Sequence, residues 1–583
     1  MATINFKGKE IVRNYHLSVP YHELVPDEKK SLTEKVSLND NLIIHGDNLL
    51  ALKALLPTYA GKVNCVFIDP PYNLGEENWV YNDNVSSPMM KEWLGKVVGK
   101  DDLARHDKWL CMMMPRLKLL RELMHDDAAI FITLDDTEIH RCKLLMDEIF
   151  DESNFVMNIV WQSRKSVQND TDLSLSHNHV LVYAKNRRQE ELRLKESNKE
   201  QWFSMPGFVF RPLELDKSKF SNTDNDSRGP WKADPFDAPG VRKNLSYTIV
   251  NPITKEKFKP PTGRHWRTEE PKYRELLKDK RIVFGKFGKS GPQLKVFWEE
   301  KNKFGEVETS WWGEGATEVY IEEGIDQESA AAFTNYGTTT KGSQLLQTIF
   351  DGEKVFNNPK PIELVQHILT IAATKETIVL DSFAGSGTTA HAVLALNKED
   401  GGKRRFVLVQ IPEEIEEDKP AYKLGFRNII DITAERVRRV IRGTKGARDE
   451  DLRKGLGGSF SYYELGDSIG TERILKGVRL PSFTEMARYI FYTATGEEFD
   501  AKKADEDTGF IGESQEYRVY LLYKPDIGFL KSTALTLERA EALGKFTGKK
   551  RLVFGPAKYL DQEHLERLHI DFAQLPFEIY QKQ

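Results

Sequence analysis

A chain of 583 residues is too long for one ordinary hydrophobic core and is expected to fold as about two to four domains. Its 39% hydrophobic and 30% charged residues exclude an intrinsically disordered chain, and a formal net charge of -5 excludes a uniformly basic surface. No apolar run approaches the roughly 18 residues that span a bilayer, and Cys65, Cys111 and Cys142 all lie in apolar stretches, so the expectation is a cytoplasmic protein with no membrane span, disulfide frame or bound metal.

Residues 1–35 read as an N-terminal extension. From residue 42 to 159 strands and helices alternate, the pattern of a doubly wound, mostly parallel α/β sheet. Buried strands are expected over 63–68 and 128–134. A helix is expected over 137–150, where Ile139, Cys142, Leu145, Met146 and Ile149 form a core-facing stripe. The first strand runs straight into Asp69-Pro70-Pro71-Tyr72, at the carboxyl edge where open α/β sheets bind ligands.

The chemistry suited to that tetrapeptide is activation of an exocyclic amine. The lone pair of a base amino group is delocalised into its ring, so a site must draw it out. Asp69 and the carbonyl of Pro70 can accept the two amino hydrogens, the fixed φ of the prolines stiffens the turn, and Tyr72 offers a face for an extruded base. The alternative is a proline-terminated strand with Tyr72 in the core.

From 161 to 345 the alternation fades into short segments rich in Trp, Lys, Gly and Pro, as in an inserted domain. Basic pairs and triplets (Arg242 and Lys243; Lys255, Lys257 and Lys259; Lys278, Lys280 and Arg281; Lys286 and Lys289) interleave with Trp231, Trp266, Trp298, Trp311 and Trp312. These are candidate phosphate contacts, against the plain reading of a solvated surface over a small aromatic core.

Alternation returns at 346–445 with a helix over 361–373 and strands over 377–380 and 405–411. Between those strands lies Asp381-Ser382-Phe383-Ala384-Gly385-Ser386-Gly387-Thr388, a strand, glycine turn and helix start. Gly385 and Gly387 allow close backbone approach to a ligand, but the loop lacks the lysine of a P-loop and the third glycine of a dinucleotide site. A cofactor without a pyrophosphate fits, and S-adenosylmethionine meets that condition. Asp381, or a carboxylate nearby, would hold its amino group, with Phe383 covering it. Residues 446–583 read as a linker and a C-terminal domain, with a strand over 551–554 and a helix over 562–568.

Taken together, and in this order, the two motifs resemble the β-class DNA amino-methyltransferases, whose target-recognition domain lies between them. Gly46-Asp47-Asn48, Asn358-Pro359-Lys360-Pro361 and Gly457-Gly458-Ser459-Phe460 extend the likeness over residues 42–466, and within the class it is most similar to the modification subunits of type III restriction systems. The resemblance implies methyl transfer from S-adenosyl-L-methionine to adenine N6 in duplex DNA after base flipping. Asp69, Pro70, Pro71 and Tyr72 would be catalytic, and Asp381, Phe383, Gly385, Gly387, Thr388, Asp47 and Lys360 would bind the cofactor. Gln410 or Glu413 would hold the ribose. It further implies a homodimer and a separate ATPase and nuclease subunit, since no Walker motif is present. A cytosine-N4 enzyme and a silent recognition subunit of the same fold stand as alternatives. Cytosine-N4 enzymes usually show Ser where Asp69 stands.

Overall fold

The computed structural model describes residues 3–73, 88–97, 104–166, 172–188, 206–224, 226–285, 288, 290–303, 305–313, 336–468, 480–497, 499–544 and 546–575. Ten strands form one sheet: β1 (His22–Pro26), β2 (Leu42–His45), β3 (Val63–Ile68), β4 (Met124–Leu134), β5 (Phe155–Gln162), β6 (His177–Ala184), β7 (Trp311–Trp312), β8 (Ile378–Asp381), β9 (Arg405–Gln410) and β10 (Ser461–Ser468). Their order across the sheet is β1-β10-β2-β9-β8-β3-β4-β6-β5-β7. The six strands from β10 to β4 run parallel to one another, while β1 and the β5–β6 hairpin join antiparallel. The sheet is doubly wound.

The period-two alternation of the central strands divides the core. Leu42, Ile44, Val66, Ile68, Ile130 and Ile132 face one layer, where α1 (Asn48–Tyr59), α2 (Arg105–Leu123) and α3 (Ile139–Phe150) pack. Ile43, Cys65, Phe67, Ala129 and Phe131 face the other, covered by α4 (Thr339–Ile349), α5 (Ile362–Ala372), α6 (Thr388–Asp400) and α7 (Ile429–Arg442). Burial on both faces is why these strands read as continuous apolar runs. Each of the buried Leu, Ile, Val and Phe side chains contributes about 1.5–3 kcal/mol before entropy is subtracted.

Strand β3 pairs directly with β8, Cys65 opposite Val379 and Val66 opposite Leu380. The sheet reverses its winding between them, which opens a crevice beyond their carboxyl ends. Strand β6 lies well inside the sheet although it follows residue 160, where the inserted region is expected to begin. It is antiparallel to both neighbours, so no helix precedes it and the alternation that marks the earlier strands is missing.

Within the insert, Trp231–Pro235, Gln293–Phe297 and Ile282–Val283 form a small antiparallel sheet, and Phe236, Ile249, Trp266, Tyr273 and Phe284 form a local core. Trp231, Trp266 and Trp312 are buried, whereas Trp311 at the sheet edge is 41% exposed. Arg242, Lys243, Lys255, Lys257, Lys259, Lys278 and Lys280 are exposed. Arg281 is held by both oxygens of Glu300 at 2.8 and 2.6 Å, and Lys286 and Lys289 lie outside the described residues.

The last unit is a separate four-stranded sheet of β11 (Phe510–Glu513), β12 (Tyr517–Leu521), β13 (Lys550–Gly555) and β14 (Ile570–Gln574), with α8 (Phe483–Thr495) on its core. The expected helix near its end is Gln562–Arg567. No helix among the described residues is long and apolar enough to cross a membrane. All three cysteines are buried and unbridged, and burial pushes the Cys65 and Cys111 thiols up to about 12, which makes them poor nucleophiles.

Candidate active site

The crevice at the carboxyl ends of β3 and β8 widens into a cavity of about 460 Å³. Asp69 and Tyr72 line it from one motif, and Asp381, Phe383, Gly385 and Thr388 from the other, with Lys360 between them. Two segments more than 300 residues apart in the chain therefore open onto one space, as the pairing of their strands requires.

The loop after β3 is held rigidly. The indole N–H of Trp109 donates to the carbonyl of Pro71 at 2.7 Å. Asn73 follows in the left-handed region at φ 62°, where an asparagine is tolerated, and is fully buried with its amide donating to Glu138 at 2.6 Å and to the Arg105 carbonyl at 3.2 Å. Asp69 is gripped at both oxygens: the hydroxyl of Thr133 donates to Oδ1 and the ammonium of Lys360 to Oδ2, each at 2.5 Å. A carboxylate offers about four lone-pair directions, more than these two contacts use. Tyr72 has the Lys360 ammonium 5.0 Å from its ring and receives an amide hydrogen of Asn178 on its hydroxyl at 3.3 Å.

The glycine loop is braced from below. Gln410 accepts the Gly385 N–H at 2.7 Å, the Thr433 hydroxyl donates to the Gly385 carbonyl at 2.5 Å, and the buried guanidinium of Arg436 donates to the hydroxyls of Ser386 and Thr388, both at 2.9 Å. Gly387 caps α6 at φ 82°. Asp381 accepts the Phe383 N–H at 3.0 Å and the Thr389 hydroxyl at 2.5 Å, yet burial, with Asp69 nearby adding repulsion, pushes its carboxyl up to about 7.

Several sequence expectations meet different surroundings, and Pro70 and Pro71 are not among the residues lining the cavity. Asp47 lies off the cavity lining: its carboxylate caps α1 through the N–H groups of Leu49 and Leu50 and faces the buried Arg116 at 3.4 Å. The Gln410 side chain is committed to Gly385 and to the Ile411 carbonyl at 3.2 Å, and neither it nor Glu413 is among the lining residues. Thr133, Asn178, Thr433 and Arg436 were not singled out from sequence. Arg436 carried a signal, since it sits on the apolar stripe of α7 with Ile429, Ile432, Val437 and Val440. Thr133, inside an otherwise apolar strand, carried a weaker one.

Against this geometry, a family model of DNA methylases covering N6 and N4 amino-methyltransferases matches residues 63–423. The chain is 31% identical over 612 aligned residues to the type III restriction-modification enzyme StyLTI Mod subunit of Salmonella typhimurium, covering 98% of this chain and 84% of that one.

The chain belongs to the N6/N4 DNA methylase family.

Another relative of this DNA methylase is the EcoP15I Mod subunit of Escherichia coli, 30% identical over 490 residues, with 77% of this chain and 70% of that one covered. Among solved structures, the PvuII cytosine-N4-specific DNA methyltransferase shares 11% identity at a TM-score of 0.28, over 68% of this chain and 93% of that one. The methylase match begins at the first residue of β3 and contains both loops that line the cavity.

The cavity's chemistry suits a zwitterionic sulfonium. It combines four carboxylates, Asp69, Asp135, Asp136 and Asp381, with the rings of Phe356 and Phe383 and the backbone at Gly385, where an added Cβ would come within 3.4 Å of Phe356. A cationic amino group and sulfonium would find acidic partners there, and an adenine ring would find aromatic ones.

Proposed function

We propose that the chain transfers a methyl group from S-adenosyl-L-methionine to the N6 amino group of adenine in duplex DNA, as the modification subunit of a type III restriction-modification system. The observation that carries this reading is the single cavity onto which the Asp69 loop and the Gly385 loop both open. The methyl donor supplies an activated methyl group. Asp381 and the Gly385 backbone bind and orient it from the β8 side. Asp69 and the Pro70 carbonyl hold the two amino hydrogens, so that the nitrogen lone pair turns toward the donor. Tyr72 stacks on the extruded base, and Asn178 fixes the tilt of its ring.

Once the nitrogen carries the new methyl it must lose a proton, and the Asp69 carboxylate is the acceptor in place. No cysteine takes part, because all three are buried with thiols raised by desolvation. Adenine is favoured over cytosine because Asp occupies position 69, where cytosine-N4 enzymes usually carry Ser. Flipping the base costs about a few kcal/mol, which phosphate contacts from the exposed lysines of the insert would offset. A homodimer and a separate restriction subunit complete the proposed assembly.

The test is to sequence, with modified-base detection, the genome of a methylation-free host expressing the protein. N6-methyladenine confined to one short motif, and lost with D69A, supports the proposal. Marks at cytosine N4 would overturn the choice of base. No marks, together with no donor binding by the purified protein, would overturn the activity.

A further inference from the structure

Asp136 and His177 line the same cavity, and His179 converges with them. One ligand atom from each lies within 4.8 Å of the others. His177 and His179 are two apart on β6, so their imidazoles share one face of the strand, with ring centroids 5.2 Å apart. His179 stands opposite Leu134, the last residue of β4, and Asp136 lies just beyond it. The carboxylate of Asp136 is 3.1 Å from Nε2 of His179 and 4.0 Å from Nε2 of His177.

We propose that this triad binds a divalent transition-metal ion of the zinc class. Two imidazoles and one carboxylate are borderline ligands suited to Zn²⁺, Co²⁺ or Ni²⁺, and not the all-oxygen set that Mg²⁺ or Ca²⁺ prefers. Three protein ligands leave a fourth position, which an exogenous oxygen would fill.

A second observation points the same way. A metal-bound histidine donates its other ring N–H to a fixed acceptor. Nδ1 of His179 lies 3.2 Å from the amide of Asn158, whose Oδ1 is buried without a hydrogen-bond partner among the described residues. Turning that amide about its last bond places Oδ1 as the acceptor for Nδ1–H, which is the arrangement a metal on Nε2 needs. The His177 side chain is 31% exposed, so its imidazole is accessible to an ion from solvent. The ion is not required for the methyl-transfer reading, and the two can fail separately.

The test uses untagged, metal-free full-length protein titrated with Co²⁺, read by the visible absorption of cobalt in a nitrogen and oxygen field and by calorimetry, with Zn²⁺ as competitor. The expected result is one ion per chain, displaced by Zn²⁺. Affinity should fall more than about tenfold in H177A, H179A and D136N and about tenfold in N158A, and stay unchanged in H564A, a surface control in the C-terminal unit. Because His177 is partly exposed, H177A decides the question even if H179A does not fold. Binding that never saturates, or that is the same in H177A and D136N as in the parent, overturns the site.

Discussion

The ammonium of Lys360 lies 2.5 Å from a carboxylate oxygen of Asp69, although 291 residues of chain separate them. Lys360 is anchored in turn, its carbonyl accepting the Thr388 hydroxyl at 3.2 Å, so the base-side carboxylate is positioned by the donor-side loop. Replacing the ammonium would let Asp69 rotate out of alignment, and misplacement of a reacting group by about 1 Å can cost roughly a hundredfold. K360A is therefore expected to lower kcat on DNA by about a hundredfold while changing donor affinity less, and K360R to recover part of the loss. Single-turnover methylation with separate donor titration checks it; equal losses in both quantities would show that Lys360 acts only through the donor.

Asp381 gives the site a pH dependence. Its carboxyl is raised to about 7, so below neutrality it is protonated in the donor-free protein and cannot pair with an ammonium. Donor affinity is expected to rise with pH, weakening by about tenfold for each unit below about 6 and levelling above 8. The stability term has the opposite sense: a raised folded pKa favours the fold at acid pH, and that advantage is lost as pH rises through about 7. Calorimetric titrations between pH 5 and 9 test the affinity, and in D381N the slope should vanish.

The two loop glycines should differ in tolerance. At Gly387 an alanine would sit at φ 82° with its Cβ 3.2 Å from the Thr433 methyl and 3.3 Å from its carbonyl, so strain and crowding coincide. At Gly385 φ is 50° and the nearest atom, on Phe356, is at ordinary contact distance, 3.4 Å. G387A is expected to destabilise by about 2 kcal/mol or more and G385A by about 1 kcal/mol. Denaturant midpoints of the two variants decide the order.

Arg436 is fully buried; one terminal nitrogen donates to Ser386 and Thr388, the other faces Nδ1 of His391 at 3.4 Å, and Nε finds no partner among the described residues. Removing a buried charge also removes its desolvation cost, so R436M is expected to alter stability by less than about 2 kcal/mol. Donor affinity should nevertheless fall by about tenfold, because the loop hydroxyls lose their orientation. Thermal melts beside donor titrations separate the two effects.

The central strands are legible because burial on both faces leaves an uninterrupted apolar run: the expected spans 63–68, 377–380 and 405–411 correspond closely to β3, β8 and β9. The two motifs were visible for a related reason, since proline and glycine chemistry at a strand end is local. What stayed hidden was non-local. Strand β6 is set by antiparallel pairing that leaves no helical punctuation, Asn178 matters only because it reaches Tyr72, and the histidine pair on β6 acquires meaning only beside Asp136. Trp312, for which the sequence leaves open a nucleic-acid surface or a small aromatic core, is a buried edge residue paired with Trp161 on β5.

The register of Cys65 against Val379 has a consequence for biosynthesis. A ribosome adding about 5–20 residues per second needs tens of seconds to reach β8 after β3 has emerged. Throughout that interval the nascent β3 has an open hydrogen-bonding edge and apolar side chains with nothing to cover one face. Translation speed through the insert, and any chaperone that shelters the waiting strand, should therefore govern the yield of correctly folded protein more strongly than the stability of the finished sheet.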